Sequence, residues 1–349
     1  MKEYIGIDIH RKFSEVNVMN ESGEQLERRR LEHDDIVGLR EYFEKYSGAS
    51  AVMEATVGWM WLADELENQG IEVHLAHSSG VKLIASSKLK TDKVDAKVLA
   101  QLLRTGFLPE AYLAPLDVRV YREILRWRTS LVKMRAMAKN RIHGLLMRLN
   151  IQFEATDIFG KKGREMLRAL MIEEPYSSIL LGWLDVIDFL DGQVKIVEDK
   201  IRKAISKDKR VDLLMTMPGI GLITAYTIIA EVGEIERFRS DKAFASYCGL
   251  FPSTHQSASK VYHGRISGGR RTLEWCIVES CHTAVRRDSY FATIFNKHKR
   301  SKGNGRAFII AAREMARIIY KMLKEERSYV PRPKQKENRS KRKTSMVGP

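Results

Sequence analysis

Four carboxylates carry the chemistry this chain could do. Asp8 stands inside the apolar run Tyr4-Ile5-Gly6-Ile7-Asp8-Ile9, and Glu54 closes Ala51-Val52-Met53. Asp92 and Asp95 lie three apart in Asp92-Lys93-Val94-Asp95. A carboxylate in an apolar run is costly unless a cation compensates it. Acids three apart share one face of a helix start, where the helix dipole favours negative charge. Singly, Asp92 and Asp95 also read as solvated helix-start residues. Together, carboxylates converging without His or Cys are hard oxygen donors, suited to Mg²⁺ or Mn²⁺ rather than zinc. Two such ions about 4 Å apart can activate an attacking oxygen and stabilise a leaving one in phosphodiester exchange.

Two later stretches could meet phosphate. Pro218-Gly219-Ile220-Gly221 lies between helical patterns and resembles the turn of a helix-hairpin-helix. There Gly219 and Gly221 would expose backbone N–H groups at a helix start; a simple tight turn is the alternative. Downstream, Gly249–Lys260 is rich in serine, with Ser253, Ser257 and Ser259, and is followed by Tyr262-His263-Gly264-Arg265-Ile266-Ser267-Gly268-Gly269-Arg270-Arg271. A serine hydroxyl needs a base, a metal or a cationic setting to act as a nucleophile. From composition alone this segment reads as a polar loop. Arg265, Arg270 and Arg271 offer guanidinium forks that match phosphate oxygens.

These residues need a frame. Tyr4–Ile9, Ser14–Asn20 and Gln25–Leu31 read as strands, with Glu21-Ser22-Gly23 as a hairpin turn. Helical spacing over Asp34–Tyr46, strand Ala49–Met53, helix Trp59–Gln69, strand Ile71–Ala76 and helix Lys93–Arg104 follow. Three antiparallel strands and then βα units predict a mixed α/β sheet with helices on its faces, the order of an RNase H-like fold. Arg119–Asn150 and Tyr176–Ser206 read as two long helices, which suit an antiparallel arm or a helical subdomain packed on its own chain. From about Asp212 to Glu326 the chain reads as mainly helical, ending in the helix Ala307–Lys324. The tail Pro331–Lys343 reads as a basic, disordered segment. The resulting boundaries are 1–112, 113–207, 208–328 and 329–349.

Charge and cysteine content narrow the partners. Sixty Lys plus Arg against 44 Asp plus Glu give a formal charge of +16, which favours a polyanion, nucleic acid first. No apolar run reaches the roughly 18 residues of a membrane span, and the N-terminus lacks a signal-peptide pattern. Cys248, Cys276 and Cys281 have no CxxC spacing, so a reduced cytoplasm and core packing are expected.

The acids at Asp8, Glu54, Asp92 and Asp95, then Pro218-Gly219-Ile220-Gly221, resemble the IS110-type transposases, recombinases of bacterial insertion sequences. So do Gly249-Leu250-Phe251-Pro252 with His255, Ser257 and Ser259, and Gly264-Arg265-Ile266-Ser267. The resemblance runs from Met1 to about Lys324. It implies a RuvC-like domain with a DEDD metal site, a helical arm used in dimerisation, and a C-terminal domain presenting a serine nucleophile. Ser257 falls at the family's serine, five residues after Pro252, with Ser253 and Ser259 as neighbouring alternatives. This chain has Ala258 where the family often has glycine, and Gly268 where a lysine is common. The resemblance also implies a structured guide RNA from the element itself, whose loops pair with donor and target DNA. Transesterification through a phosphoserine, assembly as a dimer or tetramer, and a nucleoid-associated cytoplasmic protein follow as expectations. The rivals are a RuvC-like hydrolytic junction nuclease, a non-catalytic nucleic-acid-binding protein, and an actin-like kinase. The last wants glycine two residues after its strand aspartate, where this chain has His10.

Overall fold

The computed structural model describes residues 2–56, 58–84, 92–153, 157–206, 208–257, 260–266 and 270–331, with 92–94, 253–257 and 260–266 as backbone only. The chain divides into two compact units, Met1–Ala114 and Pro115–Pro349.

In the first unit the alternation of β1 (Tyr4–Ile9) decides everything around it. Ile5 and Ile7 point to one face, where they are fully buried with Val16 and Val18 of β2 (Phe13–Met19). Ala51 and Met53 of β4 (Ser50–Glu54) join them beneath α1 (Ile36–Glu44) and α2 (Trp59–Asn68). With β3 (Gln25–Glu32), β5 (Glu72–Ala76) and β6 (Glu110–Ala111), the sheet order is β3-β2-β1-β4-β5-β6. The β1–β2, β2–β3 and β5–β6 pairs are antiparallel, and β1–β4 and β4–β5 are parallel. The expected mixed sheet is therefore present. The short β6 and the helix α3 (Ser78–Ile84) are additions that are too brief to leave a periodic signature.

The opposite face receives α4 (Asp92–Arg104), and glycine lets it approach. A Cβ on Gly6 would lie 1.9 Å from the Ala96 carbonyl oxygen and 2.6 Å from the Ala100 nitrogen. Val52, Ala76, Val81, Leu99 and Leu102 form the apolar layer on this side.

The second unit is built on α5 (Leu116–Arg148) and α7 (Tyr176–Ala204). The ion pairs Arg128–Glu198 and Arg135–Asp191 descend one helix as they climb the other, so the two are antiparallel. At the tip Ile142, Leu145, Leu184 and Ile187 pack with Phe159 and with Leu167 of α6 (Lys161–Arg168). Toward the base Leu131, Val194, Val197 and Ile201 belong to the same cluster as α8 (Lys209–Met215), α9 (Leu222–Val232) and α10 (Asp241–Tyr247). That core is continuous across residue 207, where the sequence suggested a domain boundary.

One segment differs from its sequence reading. The polar loop resolves into an antiparallel hairpin, β7 (Pro252–Ser257) with β8 (Lys260–Ile266). Its strands carry few apolar residues, so no clean two-residue alternation announces them. After it come α11 (Arg271–Arg287) and α12 (Ser289–Lys324), the latter interrupted at Gly303 with φ +77°. The expected helix Ala307–Lys324 is the second half of α12. Cys248, Cys276 and Cys281 are free and buried, and burial pushes the Cys276 and Cys281 thiols up to about 12. Among the described residues no helix is long and apolar enough to cross a membrane.

Candidate functional site

Asp8 and Glu54 occupy equivalent places on neighbouring parallel strands. The β1–β4 register ends at Ile7↔Met53, so each acid is the next residue at the carboxyl end of its strand. Alternation puts both on the face opposite Ile7 and Met53, the face that Gly6 and Val52 offer to α4. The level of α4 follows from the Gly6 contact, which lies between Ala96 and Ala100. Two residues along β1 advance about 6.6 Å, equivalent to about four residues of helix. Because α4 runs back toward Arg104 at the β2–β3 turn, where Arg104 donates to the Glu21 carbonyl oxygen at 2.9 Å, Asp8 stands level with the Asp92–Asp95 turn. Asp95 precedes Ala96, and Asp92 opens α4 four residues before Ala96.

Asp8 and Glu54 thus share one edge of one sheet face, and Asp92 and Asp95 lie in the first turn of α4, which packs on that face. Asp8 is about three-quarters buried, and its Oδ2 lies 3.1 Å from His10 Nε2. Glu15 is Asp8's direct partner across the β1–β2 pair, so it shares that face, where Arg28 lies 3.5 Å from its carboxylate. His10 and Glu15 are neighbours that sequence reasoning missed; counting two residues along β1 would have found the first. Among the described residues no three His, Cys, Asp or Glu side chains converge as a finished metal cage. The side chain of Asp92 lies outside the described set. The donor chemistry, all carboxylate and on one sheet face, fits a hard divalent ion.

The second candidate centre is the β7–β8 hairpin. Ser257 and Lys260 form its innermost pair, about 16 Å of strand from Pro252 at the base. Lys260, directly across from Ser257, was not singled out from the sequence because only the strand register brings the two together. Arg265 lies at the opposite end of the hairpin, and Arg270 and Arg271 follow it at the start of α11. The structure therefore separates the three arginines from Ser257 along the hairpin. Arg270 is engaged at the base: its N–H donates to the Tyr247 carbonyl at 3.0 Å and its Nε donates to the Tyr247 hydroxyl at 3.1 Å. Its Nε also lies 3.6 Å from the buried Glu231 carboxylate. Burial works against the Arg270 charge, but Tyr247 and Glu231 outweigh it and raise the guanidinium above its ordinary value. Arg271 is exposed.

Pro218–Gly221 joins α8 to α9 as a helix-turn-helix connection. Gly219 has φ +90°, and a Cβ there would fall 2.1 Å from the Ser280 carbonyl of α11. Its glycine is thus required by close packing as well as by the turn. Gly221 opens α9 with nothing near its Cα.

Comparison with known proteins gives two family matches, one over each of the regions described above. Residues 5–151, which include all four acids, match the model of the DEDD transposases of IS110 elements, described as "Transposase". Residues 211–296, which include the hairpin, match "Transposase IS116/IS110/IS902 family". The chain is 24% identical over 346 residues to "Probable family 20 transposase" of Pseudomonas aeruginosa, covering 94% of this chain and 98% of the relative. It is 23% identical over 341 residues to "Transposase for insertion sequence element IS1111A" of Coxiella burnetii, covering 93% and 90%. It is also 23% identical over 294 residues to "Transposase for insertion sequence element IS1328" of Yersinia enterocolitica, covering 82% and 85%. With its four acids inside the first matched region and its serine hairpin inside the second, this chain belongs to the IS110 family of insertion-sequence transposases.

Proposed function

We propose that the chain recombines DNA through a serine nucleophile, with a divalent ion held by Asp8, Glu54, Asp92 and Asp95 in a RuvC-like domain. The observation that carries this reading is the meeting of Asp8 and Glu54 at the carboxyl ends of adjacent parallel strands, level with the first turn of α4. Bound there, Mg²⁺ or Mn²⁺ would supply Lewis-acid stabilisation of negative charge on phosphate oxygens. His10, 3.1 Å from Asp8 Oδ2, orients that carboxylate. Ser257 attacks phosphorus: its O–P bond forms, the P–O bond to one DNA strand breaks, and the serine proton ends on the released DNA hydroxyl. A hydroxyl of the other DNA molecule then attacks the phosphoserine and restores the serine. Bond energy is conserved in the ester, so neither water nor a nucleotide cofactor is consumed. Lys260, paired across the hairpin from Ser257, favours the charge that develops during attack. Arg265 and Arg271 contact phosphate, while Arg270 anchors the hairpin base. The backbone N–H after Gly221, at the start of α9, is a further phosphate contact.

A structured RNA from the element directs donor and target choice, and two or four copies hold the DNA ends, paired through the α5–α7 arm. The test is covalent trapping. Denaturing a reaction midway is expected to leave DNA attached to protein, with the ester mapped to Ser257. Ser257→Ala should lose adduct and strand joining while retaining DNA binding. Adduct at Ser253 or Ser259 would move the nucleophile. Cleaved ends without any adduct would favour the hydrolytic junction nuclease.

A further inference from the structure

The first half of α12 ends in a concentration of charge that neither centre uses. Between Asp288 and Glu314 the sequence contains no acid, yet it carries Lys297, Lys299, Arg300, Lys302 and Arg306 within ten residues. All five are exposed, and no ion pair engages any of them among the described residues. Four arginines of the arm differ: Arg128, Arg135, Arg164 and Arg168 are each bridged to an aspartate or glutamate. Unneutralised like charges repel one another, so a cluster left open in this way stores an attraction for a polyanion.

The cluster is also held in shape. The helix breaks at Gly303, and the rings of Phe295 and Phe308 lie 4.3 Å apart on either side of the break. Thirteen residues of straight helix would separate them by about 20 Å, so the two halves of α12 fold back on each other. His282 of α11 closes the clamp, its ring 3.7 Å from that of Phe308. Beyond the clamp, residues 299–306 form an exposed corner, and Gly303 and Gly305 have open space where a Cβ would be. Both phenylalanines are drawn into the clamp, so the corner offers cations without an exposed aromatic ring for stacking unpaired bases. That combination suits the backbone of a duplex rather than a single strand.

We propose that this corner, Lys297–Arg306, binds the phosphate backbone of double-stranded DNA without reading sequence. The inference rests on the reading of this chain as acting on DNA, and it adds a contact surface that the chemistry itself does not require. Each phosphate neutralised by Lys or Arg contributes about −0.9 to the slope of log affinity against log salt.

The test uses the full-length protein without divalent metal and a labelled duplex of arbitrary sequence. Lys297, Lys299, Arg300, Lys302 and Arg306 are all changed to glutamine. The slope should become shallower by about 4.5, so between about 50 and 200 mM salt the wild type loses roughly 500-fold more affinity than the variant. An unchanged thermal unfolding midpoint should accompany this, because all five side chains are exposed. Lys302→Gln with Arg306→Gln, a milder variant, should reduce the slope by about 2. Equal slopes for wild type and both variants would overturn the proposal while leaving the catalytic reading intact. A deficit confined to structured RNA, with duplex binding unchanged, would also overturn it and assign the corner to RNA. Failure of the wild type to bind duplex at all would overturn the DNA reading beneath it.

Discussion

At the scale of single residues, the acids were legible because their cost is local. A carboxylate between Ile7 and Ile9, or closing Ala51-Val52-Met53, is conspicuous without any tertiary information. Asp8→Asn keeps the side-chain shape but removes one hard ligand. It is expected to lower metal-dependent recombination by about a thousandfold, some 4 kcal/mol of transition-state stabilisation, with DNA binding nearly unchanged. Near-normal turnover in Mg²⁺ would exclude Asp8 from the metal set. The role of Arg270 was not legible, because its partners Tyr247 and Glu231 lie 23 and 39 positions earlier in the chain. Breaking one side of a fully buried ion pair costs about 3–5 kcal/mol. Since the Arg270 side chain is 43% exposed, Arg270→Gln is expected to cost only about 1–2 kcal/mol, seen as a lower unfolding midpoint. Arg271→Gln, on an exposed side chain, should weaken DNA binding and leave that midpoint in place. The reverse pattern would exchange the two assignments.

At the scale of elements, the β1–β5 frame could be read in advance because its periods are clean, whereas the hairpin could not. Ile5, Ile7, Val16 and Val18 alternate into one core, and that alternation alone fixes which face Asp8 takes. The segment Pro252–Ile266 has no such stripe, and its pairing depends on a register between polar residues. Gly6 links element to site: with its Cβ position 1.9 Å from the Ala96 carbonyl, no side chain fits beneath α4. Gly6→Ala is expected to push α4 outward, weakening metal binding at Asp95 more than it reduces helix content. Isothermal titration with Mn²⁺ beside circular dichroism separates the two effects; unchanged Mn²⁺ affinity would refute the close approach. The arm tip makes a pH prediction. Burial alone would raise the carboxyls of Asp188 and Asp191, but bonds from Arg164 and Arg168 to the first, and from Arg164 and Arg135 to the second, hold both below the ordinary range. A carboxyl depressed in the folded state stabilises the fold above its unfolded pKa of about 3.9 and loses that contribution as pH falls further. Protection of the α6 amides, measured against their intrinsic exchange rates, should therefore fall below about pH 4, and Asp191→Asn should flatten that acid response. An acid response of the same size in the variant would detach it from these bridges.

At the scale of the whole molecule, the arm distributes its side chains in a way that a lone copy does not use. The ion pairs Arg128–Glu198 and Arg135–Asp191 flank one side of the α5–α7 pair. On α7, Ile179, Val186, Phe189 and Ile196 recur at spacings of seven, three and seven, which is the seam of a coiled coil. On α5, Trp127 and Met134 repeat seven apart, one position before Arg128 and Arg135, so helical rotation puts them on the flank away from the ion pairs. All six are exposed to a third or more, Phe189 to 64%, which leaves a continuous apolar strip in water. The sequence presented both helices but not this strip, since the same α7 pattern also contains the buried set Leu180, Leu184, Ile187 and Val194. Two interleaved heptads cannot be assigned to inside and outside until the partner helix is known. If the strip pairs two copies, burying each large side chain contributes about 1.5–3 kcal/mol. Val186→Asp with Phe189→Asp should then weaken self-association by at least about a hundredfold, converting the oligomer to monomer at micromolar concentration in sedimentation experiments. Strand joining should fall with it, because each monomer keeps its acids and its serine but no longer holds two DNA ends together. DNA binding by the isolated copy should persist. A variant that still sediments as the wild-type oligomer would place the interface between copies somewhere other than the arm.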